Sequence, residues 1–172
     1  MKRLILESKF TTHQKLHVLL CTGFPIVAII NLIYRVKPFF LKSLIVLFFI
    51  ILLIAMICSI FLKKGIVKEN NNLYQATFLF DKLLQKKKVD LNQKSKVSIL
   101  KFKRSQKMAW FSVANPDASL TYLRSDVTLL NEKHTTKDVL VSLDDEEKAN
   151  QVVAFLEEYF QFEYEIYSPD FS

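Results

Sequence analysis

The sequence predicts a membrane-anchored α+β chain: a two-helix transmembrane hairpin, then a small mainly-β domain of about seven strands closed by a C-terminal amphipathic helix. Three observations predict it. Residues 43–62 (SLIVLFFIILLIAMICSIFL) are 20 consecutive positions without a charge. Residues 16–34 (LHVLLCTGFPIVAIINLIY) are 19 more with no Asp, Glu, Lys or Arg. Beyond residue 62 the apolar period falls to two, and it returns to a helical period only near Ala149.

The second apolar run is the stronger span. A helix rises ~1.5 Å per residue, so this run covers the ~30 Å hydrocarbon core with apolar side chains on every face. The first run carries His17, Pro25 and Asn31. Gly and Pro are tolerated in membrane helices better than in soluble ones. Lys2, Arg3, Lys9 and Lys15 would suit the basic flank of a secretory signal. No small-residue cleavage site follows, however, and the chain runs through Arg35-Val36-Lys37-Pro38 into the longer apolar stretch, so a retained hairpin is expected.

Basic residues near the ends of spans set orientation. Residues 1–15 form an N-terminal flank with four Lys or Arg, and Lys63, Lys64 and Lys68 follow the second span. The connecting loop offers Arg35 and Lys37, with Lys42 one turn inside the second span, from where it can snorkel to the interface. Seven against three places both termini in the cytoplasm and the chain in the cell inner (plasma) membrane. Cys21 and Cys58 lie inside the spans. They read as small apolar packing residues, not as a disulfide framework or metal site.

Residues 63–172 are enough for one domain with its own core. A short strand is expected at 65–69. In LYQATFLF (73–80), Tyr74, Ala76, Phe78 and Phe80 share one face, the pattern of a half-buried strand. Asn70-Asn71-Asn72 precedes it as a turn, and Asp81-Lys82 follows as another. A third strand is expected at 83–89. In KVSILKFKR (96–104) the apolar positions slip from Val97 and Ile99 to Leu100 and Phe102, which predicts a bulge. MAWFSVA (108–114) reads as a buried strand ended by Asn115-Pro116-Asp117. Residues 120–130 and 138–143 supply the last two strands.

Then Ala149, Val152, Val153, Leu156 and Phe160 fall on one helical face. Asp144 or Asp145 can cap that helix, and Glu146 and Glu147 suit its positive N-terminus. The tail FEYEIYSPDF alternates again and can add a short strand.

This order resembles that of a pleckstrin-homology-like domain placed after a transmembrane hairpin, as in some bacterial membrane proteins. The residues that carry the resemblance are the meander from LYQATFLF to KDVLVSL, the MAWFSVA strand and the helix DDEEKANQVVAFLEEYF, over about residues 65–160. Many eukaryotic members pack a Trp within the C-terminal helix. Here the single Trp, Trp110, stands in a predicted strand. An α+β sandwich fits the same element string.

Chemistry-bearing patterns are sparse. Two glycines, Gly23 and Gly65, cannot build a phosphate-cradling loop. His13 and His17 are four apart and share a helical face, but interfacial packing explains them better than a metal. His134 stands in the polar stretch 131–137 and reads as a solvated loop residue. Thr135 and Thr136 beside it do not make a triad, since adjacency is not geometry. The acids at 144–147 and 157–158 read as a solvated helix face. The expectation is therefore no cofactor, no metal and no enzyme.

Charge is the informative feature. Residues 63–107 carry 13 Lys or Arg against three acids, a net +10, whereas residues 108–172 carry four against 13, a net −9. Lys63, Lys64, Lys86, Lys87, Lys88, Lys101, Lys103 and Arg104 are the candidate contacts with an anionic membrane surface, where each cation gains roughly 1 kcal/mol. The competing reading is that the two halves neutralise each other in the fold. The expected function is a scaffold or accessory subunit in the bilayer, meeting a protein partner, a second copy of itself, or anionic headgroups. A lipid-sensing adaptor and a small membrane-bound enzyme are the alternatives. Nucleic acid is not expected, since the aromatic residues among the basic ones read as core.

Overall fold

A computed structural model describes residues 1–35, 39–107 and 119–170. Lys37, the expected strand at 108–114 with Trp110, and the turn at 115–117 lie outside the described residues, as do the side chains of Lys42 and Arg104. The chain is mixed α+β. Its elements in order are β1 (Lys2–Ser8), α1 (Thr12–Cys21), α2 (Gly23–Arg35), α3 (Phe39–Ile60), β2 (Leu62–Glu69), β3 (Asn72–Leu79), β4 (Lys82–Lys88), β5 (Lys96–Lys107), β6 (Ser119–Leu130), β7 (Lys137–Leu143), α4 (Glu146–Phe160) and β8 (Glu163–Tyr164). Two four-stranded sheets have the orders β1-β2-β3-β4 and β7-β6-β5-β8.

The residues divide into two compact units. The first comprises Met1–Glu7, Gly65–Ala76 and Lys86–Ser172. Its core gathers Leu6 from β1, Ile66 from β2, Leu73 from β3, and Val97, Val127, Leu129, Leu140 and Leu143 from β5, β6 and β7. Ala149, Val152, Val153, Phe155 and Leu156 of α4 close it. The helix starts where the sequence allows only a cap. Asp145 is extended, and its carboxylate accepts the Glu147 amide at 2.9 Å, while Glu146 and Glu147 occupy the first turn. It ends at Gln161 in the left-handed region, φ 58°. Lys68 of β2 donates to the Tyr159 carbonyl at 2.8 Å and lies over the Tyr159 and Phe160 rings, which satisfies the helix's negative end.

β1 is a strand the sequence reading missed, since residues 1–15 were expected to be a flank. Leu6 is buried within it, and Glu7 accepts the Asp144 amide at 3.0 Å and 3.1 Å through its two carboxylate oxygens. The expected bulge in β5 is also corrected. β5 pairs with β6 antiparallel without interruption from Lys96↔Leu130 to Lys107↔Ser119. The phase slip has another cause: Val97 and Ser98, on opposite faces, are both buried, so this stretch is covered on two sides. The irregularity lies instead between β6 and β7, where Val127 opposes Val141 and Thr128 opposes Val139. Leu140 is the extra residue, and its carbonyl accepts Nε2 of Gln75 at 2.7 Å.

The second unit comprises Ser8–Lys64 and Thr77–Gln85. Thr12–Arg35 and Ser43–Ile60 are long and apolar enough to cross a membrane. Thr11 and Gln14 form a reciprocal capping box at the start of α1. The first span starts earlier than expected, at Thr12; the second starts at Ser43 as expected, inside a helix that begins at Phe39, and ends at Ile60. Leu62, expected inside the second span, already belongs to β2. α2 and α3 pack on one another. Asn31 turns its amide back on the Val27 carbonyl at 2.9 Å within its own helix.

Candidate functional site

The basic residues singled out in the sequence stand on three strands, β2, β4 and β5. Lys86 is bound to Glu69 and lies 4.9 Å from the centre of the Tyr74 ring. Its hydrogen bond to Glu69 holds the ammonium above the usual lysine range. Lys87 and Lys88 follow on the same strand and are exposed. β4 ends its sheet, and a run of lysines along an edge strand blocks pairing with another chain. Lys101 pairs with Glu146 at 2.7 Å, which brings a basic strand to the acidic start of α4. Lys103 is exposed on the same strand. Lys63 pairs with Asp81 at 2.9 Å, and Lys64 is half-buried with polar partners of its own.

Two further lysines of the basic half reach acids of the other half. Lys94 is bound to Asp138. Lys96 is bound to Glu163 and lies 2.9 Å from Glu165. The charge asymmetry of the sequence is thus partly cancelled by pairing within the fold. Such surface pairs set register more than stability.

Lys96 and Glu165 lead to a polar cluster around His134. His134 is 5% exposed, not the solvated loop residue that the sequence suggested. Its backbone is left-handed, φ 55°. Its Nδ1 accepts the Ser168 amide at 3.0 Å, so the neutral ring carries its proton on Nε2 and donates to Glu165 at 3.0 Å. Tyr167 stacks on the imidazole at 6.1 Å between centroids. Lys96 keeps the Glu165 carboxyl below the usual carboxylate range, with His134 adding to the effect. Backbone bonds from Glu163 to Ser95 and from Glu165 to Val97 lay the tail along β5.

A shallow groove of about 650 Å³ opens beside His134, Tyr164, Glu165 and Asp170. Both imidazole nitrogens are engaged, so the cluster has the chemistry of a clip that holds the tail. The signal that could have found it is the alternating tail, whose glutamates are spaced to meet Lys96. The burial of His134 rests on residues more than thirty positions away.

The other two histidines, His13 and His17, face each other with Nε2 atoms 2.9 Å apart. Among the described residues, no group of three or more His, Cys, Asp or Glu side chains could hold a metal ion.

No protein-family model matches the chain, and no curated protein or solved structure matches it significantly. The class is therefore defined by fold alone. It is a mixed α+β protein with, among the described residues, two four-stranded sheets and two helices apolar enough to span a bilayer.

Proposed function

We propose that this chain is an integral membrane protein of the cell inner membrane, anchored by two spans with both termini cytoplasmic. Its β-rich part serves as a non-enzymatic scaffold or accessory subunit. The observation that carries this reading is the state of α3. None of the Ser43–Ile60 stretch is buried within the protein. Phe48, Ile51 and Ile54 stand more than half exposed. A continuous apolar surface of that length is unstable in water and suits hydrocarbon.

The entry and exit of the helical hairpin support an even number of crossings. The Lys9 amide donates to the Leu62 carbonyl at 2.8 Å, so the chain enters and leaves the hairpin at one place. The excess of Lys and Arg on that side supports a cytoplasmic location.

The run β2 to β7 followed by α4 is what supports the resemblance to a pleckstrin-homology-like domain, while β1, before the hairpin, and β8, after α4, are strands outside that order. The resemblance assigns no ligand. Lys87, Lys88 and Lys103 are the exposed cations through which the β-rich part would meet an anionic leaflet, and a protein partner or second copy is the other expected contact.

Gentle detergent extraction of the tagged chain, followed by mass analysis of the intact complex, tests the scaffold reading. A stoichiometric protein partner or a homo-oligomer supports it, and a monomer that turns over a small-molecule substrate contradicts it.

A further inference from the structure

The β3–β4 turn breaks two rules at once. Turns of two residues with both φ values positive are normally built from Asn and Gly. Here the two residues are Phe80, φ 48°, and Asp81, φ 62°. A bulky aromatic side chain pays a steric penalty in this region, so its presence points to a function. Phe80 is also 59% exposed, and Leu84 nearby is 61% exposed. Neither folding nor solubility in water favours two large apolar groups there.

The surroundings supply the reason. The Phe80 ring lies 5.3 Å from the ring of Phe61, tilted by 32°. Phe61 directly follows the last residue of α3 and is 49% exposed. α3 has 22 residues, about 33 Å at ~1.5 Å per residue, so its end reaches the boundary of a ~30 Å core. Phe80 therefore shares the depth of that boundary. Lys63 reaches Asp81 at 2.9 Å and ties the turn to the chain leaving the helix. Lys82 is exposed beside it. Aromatic and Leu side chains flanked by Lys are the composition of segments that lie in the headgroup region.

We propose that the β3–β4 turn is an interfacial membrane anchor. Phe80 and Leu84 enter the headgroup–acyl boundary of the leaflet where α3 ends, with Phe61 beside them and Lys82 at the phosphates. The occupant of this apolar surface is lipid, because the surface is continuous with the proposed span. The inference rests on the two-span reading.

The full chain, reconstituted in vesicles, tests it with single tryptophans in a Trp110→Phe background. Phe80→Trp reports the turn, Phe48→Trp the middle of α3, and Ile166→Trp the exposed tail. The expected result is loss of Phe80→Trp emission with lipids brominated high on the acyl chain, loss of Phe48→Trp emission with deeply brominated lipids, and no loss at Ile166→Trp. If Phe48→Trp is quenched while Phe80→Trp is not, the anchor role is overturned and the two-span reading survives. If Phe48→Trp is not quenched, the span itself fails. A Phe80→Trp shielded from aqueous iodide yet unquenched by brominated lipid means a protein occupant, which also overturns the proposal. Should the Trp110→Phe background misfold, nitroxides at the same three positions in a Cys21→Ser, Cys58→Ser chain give the same decision, by oxygen against nickel-chelate accessibility.

Discussion

His134 donates from Nε2 to Glu165 across 3.0 Å, and this contact fastens the C-terminal tail to the loop that precedes β7. Glu165 also lies 2.9 Å from Lys96 on β5, so one carboxylate links a strand, a loop and the tail. The cluster joins residues 31 and 69 positions apart. It makes the tail a part of the fold.

Replacing His134 with Ala is expected to free the tail. The change leaves the Ser168 amide without its acceptor and removes the stack on Tyr167. The expected loss is roughly 1–3 kcal/mol, with faster amide exchange over residues 163–170. Unchanged exchange in that segment would show that the backbone bonds along β5 hold the tail alone.

The same clip predicts an acid response. Lys96 lowers the folded-state pKa of Glu165 relative to the unfolded chain. A lowered carboxylate contributes stability above its unfolded pKa, and that contribution is lost as pH falls through the folded value. Tail protection should therefore fall below the ordinary carboxylate range, near pH ~4. Glu165→Gln should flatten this dependence, and a variant with the parent's acid limb counts against the assignment.

The cap of α4 is a local test. Asp145→Ala removes the acceptor of the Glu147 amide and should cost about 1 kcal/mol. Leu156→Ala on the buried face should cost roughly 2–5 kcal/mol, while Glu157→Ala, one position on and exposed, should stay within about 0.5 kcal/mol. Denaturant titration of the detergent-solubilised chain reads all three. Equal costs for Leu156→Ala and Glu157→Ala would mean that α4 does not close the core.

The edge strand tests the lipid contact. In nanodiscs with anionic lipid, amide exchange around Lys87 and Lys88 should slow relative to zwitterionic nanodiscs, and salt should abolish the difference. Lys87→Glu with Lys88→Glu should abolish it too. No lipid dependence at low salt removes the membrane-surface role of these residues.

Elements set by short-range patterns were legible in the sequence. The Ala149–Phe160 face, a cap at Asp144 or Asp145 and the buried pair Ala76 and Phe78 all rest on neighbours within a few positions, whereas Phe80, expected on the same face, is exposed in the turn after β3, and Leu73, on the other face, is buried. β1 was not legible. Lys2 and Arg3 made its residues look like the basic flank of a span, and its sheet partner β2 begins more than fifty residues later. In β5, burial on both faces imitates a change of register. The irregular pairing at Leu140 leaves no such mark in KDVLVSL. His134 reads as solvated from its neighbours because Glu165, Tyr167 and Ser168, which hold its ring, come from the tail. The charge asymmetry was legible as a count. Its partial cancellation through Lys94, Lys96 and Lys101 depends on which strands and helix meet.

The central claim is that two helices cross the bilayer and return the chain to the side where it started. Single cysteines in a Cys21→Ser, Cys58→Ser chain test it directly, with a membrane-impermeant maleimide on sealed vesicles of both orientations. Lys9→Cys and Asp90→Cys should react only from the cytoplasmic face, and Tyr34→Cys, at the end of the first span, only from the opposite face. Labelling of Lys9→Cys and Asp90→Cys from opposite faces, or of all three from one face, would contradict the account.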